Sequence, residues 1–311
     1  MNPLLRAAKA RFIRFRPGDP AVLIFGLRRG GTTMIADAIS ANQGVWYADE
    51  PYAMFPKRPG FADKSRRLFV PKHSHFFGLD GEQADRFADF SHDLLSAKFH
   101  AMGTARRTLP GLGADRVCLK VLNAPWMLEW FQANTEAHIL SVIRHPGAQG
   151  RSVMRLGWGY PVEAYLERPD FLAAVYTKTQ LQFAHDIMAS GDAWRMAILD
   201  WVVTSHPLRM AKGSNVICTT YEDIVARPEG FVDGALVARC GLNEREIMMR
   251  AITQPSGSSH LNTAAATDSI QTRDLDKMLN GWRAHTSPQE LDAGQEILDA
   301  FDITEYRFKD A

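Results

Sequence analysis

This chain of 311 residues predicts an α/β fold, a parallel sheet with helices on both faces. Two observations carry that expectation. The first is a strand–loop–helix pattern at 21–39: the apolar run Ala21-Val-Leu-Ile-Phe25, the glycine-bearing stretch Gly26-Leu-Arg-Arg-Gly-Gly-Thr-Thr33, then a helical pattern to Ile39. The second is a set of three later runs, 116–122, 137–143 and 215–221, each short, apolar and β-branched as a strand covered on both faces should be. Helical patterns at 126–134 and 171–210 separate them. Strands that alternate with helices imply a parallel sheet.

The stretch 26–33 is a phosphate-loop (P-loop) pattern. Backbone N–H groups at a helix start, with the helix dipole, favour an anion there. Gly30 and Gly31 allow close backbone approach, Arg28 and Arg29 add charge, and Thr32 and Thr33 add hydroxyl donors. A nucleoside-triphosphate loop reads G-x-x-x-x-G-K-[ST]. Gly26 and Gly31 keep that spacing, but Thr32 stands where the lysine belongs. The loop therefore suits a phosphate ligand other than a magnesium–triphosphate complex.

Bulk properties narrow the class. With 46% hydrophobic and 23% charged residues the chain can bury a sizeable core. A net charge of +1 supplies no global field for nucleic acid. Cys118, Cys218 and Cys240 are widely spaced and read as core thiols, neither disulfides nor metal ligands, and no metal site is expected. No apolar run reaches membrane-spanning length and no export signal is seen, so a cytoplasmic location is expected. The basic, apolar stretch 4–16 reads as a solvated helix packed by one face, with peripheral contact to the inner membrane face as the alternative.

One domain over 1–311 is expected, with a basic N-terminal segment at 1–20. The stretch 56–115 reads as an insertion beside the sheet's ligand edge, rich in basic residues such as Lys57, Arg66 and Arg106. It carries an amphipathic helix at about 83–101, with Phe87, Phe90, Leu94 and Phe99 on one face. The stretch 262–311 reads as a C-terminal lid and helix.

A second anion grip follows the strand 137–143. That strand runs into Arg144-His-Pro146, and Ser152 lies eight positions after the arginine in the next helix. Arginine offers a planar fork matched to phosphate oxygens, and the serine adds a donor. A magnesium-binding strand would end in Asp instead.

These motifs together resemble the PAPS-dependent sulfotransferase family (PAPS is 3′-phosphoadenosine-5′-phosphosulfate). The stretch 26–33 is similar to the family's 5′-phosphosulfate loop, in the arginine version of carbohydrate and tyrosylprotein enzymes. Val142-Ile-Arg-His-Pro146 with Ser152 is similar to its 3′-phosphate motif, with His145 where Asp or Asn is usual. Tyr221-Glu-Asp-Ile-Val-Ala-Arg-Pro228 resembles the Y-E-D-L-x-x-x-P segment, whose tyrosine borders the adenine, and Gly281-Trp-Arg283 resembles a late G-x-W element.

The resemblance implies transfer of a sulfuryl group from PAPS, the co-substrate, to the hydroxyl of a small-molecule or glycan acceptor: a carbohydrate, glycolipid or other polar alcohol. It implies that Arg29 clamps the 5′-phosphosulfate with Gly30, Gly31, Thr32 and Thr33, while Arg28 shares that role or points to solvent. Arg144 and Ser152 would hold the 3′-phosphate, and Tyr221 the base. Lys120 would stabilise the leaving phosphate, or stand as a solvated strand end. The family's lysine-linked histidine base is missing, Leu122 and Asn123 standing there instead, so Glu50 is the candidate base, with Asp49 the neighbouring alternative and a plain loop ion pair the bland one.

His73 and His75 read as surface or substrate-loop histidines, and Trp194 and Trp201 as core. Trp46, Trp158 and Tyr160 either stack on a sugar or pack the core or lid. The basic insertion would lie on the acceptor side and fits an acidic or already sulfated acceptor. Two other classes stay open: a magnesium-dependent small-molecule kinase with a degenerate loop, and a non-catalytic PAPS- or PAP-binding protein.

Overall fold

The computed structural model describes residues 14–16, 18–53, 75–97 and 113–308. Five parallel strands form the sheet: β1 (Val22–Gly26), β2 (Val45–Asp49), β3 (Arg116–Val121), β4 (His138–Ile143) and β5 (Val216–Thr220), in the order β2-β3-β1-β4-β5. The principal helices are α1 (Thr32–Ser40), α2 (Gly81–Leu95), α3 (Pro146–Arg155), α4 (Ala193–Met210), α5 (Tyr221–Ala226), α6 (Arg245–Thr253) and α7 (Pro288–Ala300).

Strand β1 is fully buried, and its alternate residues enter two cores: Leu23 and Phe25 one, Val22 and Ile24 the other. Side chains alternate across a strand, so a strand apolar throughout needs cover on both faces. The step from β1 to β2 runs one way along the sheet, and the steps to β3, β4 and β5 run the other way. Right-handed crossovers put oppositely directed connections on opposite faces. Accordingly α1 packs with Val22 and Ile24, together with residues of α5 and α6, while residues of α2, α4 and α7 pack with Leu23 and Phe25. The direction reverses at β1, which is where open α/β sheets bind ligands, beyond the carboxyl ends of the strands.

Register brings the chemistry-bearing residues to that edge. Asp49 is paired with Lys120, and Gly26 with Val142, two residues before Arg144. Strand β2 is not among the predicted strands. The pattern at 171–210 is two main helices, Lys178–Ser190 and α4. Gly191 ends the first with φ of 68°, and Asp192 caps the second by accepting from the N–H groups of Trp194 and Arg195 at 2.9 and 3.0 Å.

Two side-chain expectations are corrected. Cys218 is exposed, because β5 is an edge strand, though Cys118 and Cys240 are buried as expected. His75 is buried at 6% exposure, not a surface residue. Trp46, Trp194 and Trp201 are core residues. His73, Phe99, Lys57, Arg66, Arg106 and nearly all of 4–16 lie outside the described residues. Among the described residues no helix is long and apolar enough to cross a membrane.

Candidate functional site

The loop after β1 turns tightly, with Gly30 N–H donating to Leu27 O at 3.0 Å. Arg29 adopts a left-handed φ of 64°, and Gly31, at φ 87°, is the N-cap of α1. A Cβ on Gly31 would stand 2.5 Å from the Tyr221 ring, so glycine is required there on two counts. Among non-glycine residues, left-handed backbone occurs at only five described positions, and Arg29 and Glu50 are two of them. Such conformations cost free energy and cluster at functional sites.

The left-handed turn sends the Arg29 side chain towards α3. Its Nε donates to Ser152 Oγ at 2.9 Å, and its terminal nitrogen donates to Asn262 Oδ1. Arg144 donates to Arg29 O at 3.1 Å, and its guanidinium lies 4.2 Å from the Tyr221 ring centre. Arg144 Nε is buried without a hydrogen-bond partner. Arg155, one turn after Ser152, donates to Leu261 O at 2.5 Å. Burial first, then Arg144 and Arg155, pull the Arg29 pKa down to about 10. A half-buried site where neighbouring guanidiniums depress the pKa of Arg29 favours an anion.

His145 does the work expected of Asp or Asn. It is the N-cap of α3: its Nδ1 accepts from Gly147 N–H at 3.1 Å, so the neutral ring carries its proton on Nε2 and donates to Arg307 O at 3.0 Å. The ring stacks on Trp282 at 4.7 Å and meets Tyr306 and Phe308 edge-on. A Cβ at Gly147 would reach 2.5 Å from Trp282, which explains that glycine. Burial holds the His145 pKa down to about 4. Arg144 is further positioned by Trp201 Nε1–H, which donates to its carbonyl at 2.8 Å. Glu222 accepts from His145 N–H at 2.9 Å, and burial raises its carboxyl pKa.

A second group lies beside α1. Lys120, buried at the end of β3, places Nζ 2.7 Å from Asp49, 3.0 Å from Glu50 and 3.3 Å from Thr33 Oγ1. Asp49 also accepts from Tyr47 Oη–H at 2.7 Å. Lys120 is thus no solvated strand end. Glu50 is the more open acid, its side chain 33% exposed against 22% for Asp49. Thr32 is buried.

Arg28 stands apart from the other loop residues. It donates to Gly159 O at 2.7 Å and lies over Trp158, 5.6 Å from the ring centre. The structure thus unites Arg29, Arg144, Ser152, Tyr221 and Gly31 in one place, gathers Thr33, Lys120 and Glu50 in another, and directs Arg28 to neither.

No protein-family model matches the chain, and no curated protein matches it. Among solved structures, a sulfotransferase domain from the curacin biosynthetic pathway is similar with a TM-score of 0.46 and 13% identity, over 93% of this chain and 99% of that one. Mouse sulfotransferase SULT7A1 complexed with PAP gives a TM-score of 0.43 and 13% identity, over 97% of this chain and 90% of that one.

Sequence reasoning missed Arg155 and Asn262. Arg155 had a readable signal, since it lies three residues after Ser152 on the same helix and shares its face. Asn262 had none, being brought in by tertiary structure alone.

Proposed function

We propose that this chain transfers a sulfuryl group from PAPS to the hydroxyl of a carbohydrate, glycolipid or other polar alcohol. One observation carries the reading. Arg29, Arg144 and Arg155 gather with Ser152 at the C-terminal edge of the sheet, and none of the three forms an ion pair among the described residues. Cations gathered without an ion-paired acid, one with an orphaned buried Nε, fit a multiply charged phosphate ligand.

In this reading Arg144, Ser152 and Arg155 hold the 3′-phosphate and Tyr221 borders the adenine. Arg29, Gly30, Gly31, Thr32 and Thr33 hold the 5′-phosphosulfate. PAPS, when bound, supplies the activated sulfuryl group. Glu50 accepts the acceptor's proton as its oxygen bonds to sulfur. Lys120 and Arg29 neutralise the charge that develops on the leaving phosphate oxygen. The transferred group carries less charge than a phosphoryl group, so cationic side chains suffice to stabilise it.

The test is transfer of label. Sulfuryl-labelled PAPS with a panel of alcohols, without added metal, is expected to give labelled product. Product from labelled ATP and magnesium but none from PAPS would overturn the reading in favour of a kinase. Tight PAP binding with no turnover on any alcohol, unaffected by Glu50→Ala or Lys120→Ala, would reduce it to a binding protein.

A further inference from the structure

Arg28 is left over from the donor grip, and its surroundings are unusual for a loop arginine. It sits directly before Arg29, yet the two guanidiniums diverge, Arg29 to Ser152 and Arg28 to the stretch after α3. Arg28 uses one terminal nitrogen for Gly159 O at 2.7 Å. Its Nε and other terminal nitrogen make no hydrogen bond among the described residues, and the side chain is 26% exposed. A guanidinium has five N–H donors in a planar fork, so among the described residues most of this fork is spare.

The local charge is also incompletely matched. The carboxylate nearest Arg28 is Asp200, with Oδ2 at 3.9 Å, beyond hydrogen-bond length. The other oxygen, Oδ1, accepts from Val162 N–H at 2.8 Å. Burial raises the Asp200 pKa to about 6, with Arg28 opposing the rise. His75, also in this cluster, has Nδ1 2.9 Å from Tyr165 Oη. Burial first, then Arg28, hold the His75 pKa down to about 3, so it adds no charge. Beside Arg28 the Trp158 ring is only partly buried, and a Cβ on either flanking glycine, Gly157 or Gly159, would meet nothing within 4 Å.

We propose that Arg28 anchors a negatively charged group on the acceptor, with Trp158 as the flat surface beside it, so that acidic alcohols are selected over neutral ones. This rests on the sulfotransfer reading for the word acceptor, though not for the binding itself. A carboxylate or sulfate ester completes the fork that Gly159 and Asp200 leave open, and the ring of a sugar or aromatic alcohol covers the indole. A neutral ligand would bury the guanidinium without pairing it, which costs free energy and provides the discrimination.

Equilibrium binding tests this without turnover. Calorimetry in saturating PAP compares p-nitrophenyl β-D-glucuronide with p-nitrophenyl β-D-glucoside, for the unaltered protein, Arg28→Gln and Arg28→Lys. The unaltered protein is expected to favour the glucuronide by about tenfold, the scale of one charge-assisted contact. Arg28→Gln should abolish that preference while PAP affinity is unchanged, and Arg28→Lys should keep part of it. Unchanged PAP binding also reports that each variant is folded. Equal affinity of the unaltered protein for the two probes, or an equal loss for both in Arg28→Gln, would overturn the proposal. A preserved preference without sulfuryl transfer from PAPS would sink the sulfotransfer reading and leave Arg28 as an anion anchor. Transfer to neutral alcohols with no preference would do the reverse.

Discussion

Arg29 and Ser152 are 123 positions apart in sequence and joined by a 2.9 Å hydrogen bond, which ties the loop after β1 to the helix after β4. The residues expected at opposite ends of a doubly phosphorylated ligand are therefore contiguous. Arg144 reinforces the joint by donating to Arg29 O at 3.1 Å.

That continuity sets the outcome of a double-mutant cycle. Arg144→Ala is expected to weaken PAP binding by about 1.5–3 kcal/mol through loss of a charged contact, and Arg29→Ala by a similar amount. The double variant should lose less than the sum, because the two share one ligand and one hydrogen bond. Calorimetry with PAP is the measurement. Unchanged affinity in Arg144→Ala refutes its assignment.

Gly31→Ala makes a sharper case. The methyl group would strike the Tyr221 ring at 2.5 Å, and φ of 87° is itself unfavourable for alanine. The loop must shift or Tyr221 must leave Arg144. PAP affinity is expected to fall more than tenfold for a stability loss of about 1–2 kcal/mol. Normal PAP binding by this variant would show that the Gly31–Tyr221 contact does not shape the site.

The two acids beside Lys120 should separate by phenotype. Asp49 accepts from both buried Lys120 and Tyr47, so Asp49→Asn leaves a buried ammonium short of counter-charge. A loss of about 1–3 kcal/mol in denaturant unfolding is expected, reduced from the fully buried case because Asp49 is partly exposed. Glu50→Gln should leave stability within about 1 kcal/mol while transfer falls roughly a hundredfold. Full activity in Glu50→Gln would remove Glu50 as the base.

Acid should destabilise the fold well before carboxylates of ordinary pKa titrate. His145 and His75 have pKa values near 4 and 3 when folded, against about 6.5 in an unfolded chain. As pH falls from about 6.5 the unfolded chain takes up these protons and the folded chain does not. Stability is therefore lost, by up to ~1.4 kcal/mol per pH unit for each proton. Asp200 acts oppositely: with its pKa raised to about 6, it binds a proton when folded that the unfolded chain binds only near pH 4. Melting temperature is expected to drop between pH 7 and pH 5, and to drop more steeply in Asp200→Asn. An identical slope in that variant would contradict the Asp200 assignment.

The legible parts of the molecule were those whose signals are local. Strand β1, its loop and α1 are contiguous, so apolar run, glycines and helical period could be read together. The β4 strand running into Arg144 was legible for the same reason. Strand β2 was not, because it is only five residues long and ends in Asp49, so its apolar run is short. The exposure of Cys218 depends on β5 being an edge, which only strand order reveals. The direction of Arg29 depends on its own left-handed backbone, of which a non-glycine residue gives no warning. The role of His145 was hidden because its stacking partner, Trp282, arrives from far along the chain.

The contacts of His145 with Trp282 and with Arg307 O have a consequence for biosynthesis. A ribosome that has released only the five strands has released the sheet and the arginines of the grip, but not the wall that fixes the start of α3. Asn262, which takes the Arg29 guanidinium, also emerges late. On the proposed function, a nascent chain therefore offers the nucleotide no finished seat until Trp282 and the stretch around Arg307 have docked on α3.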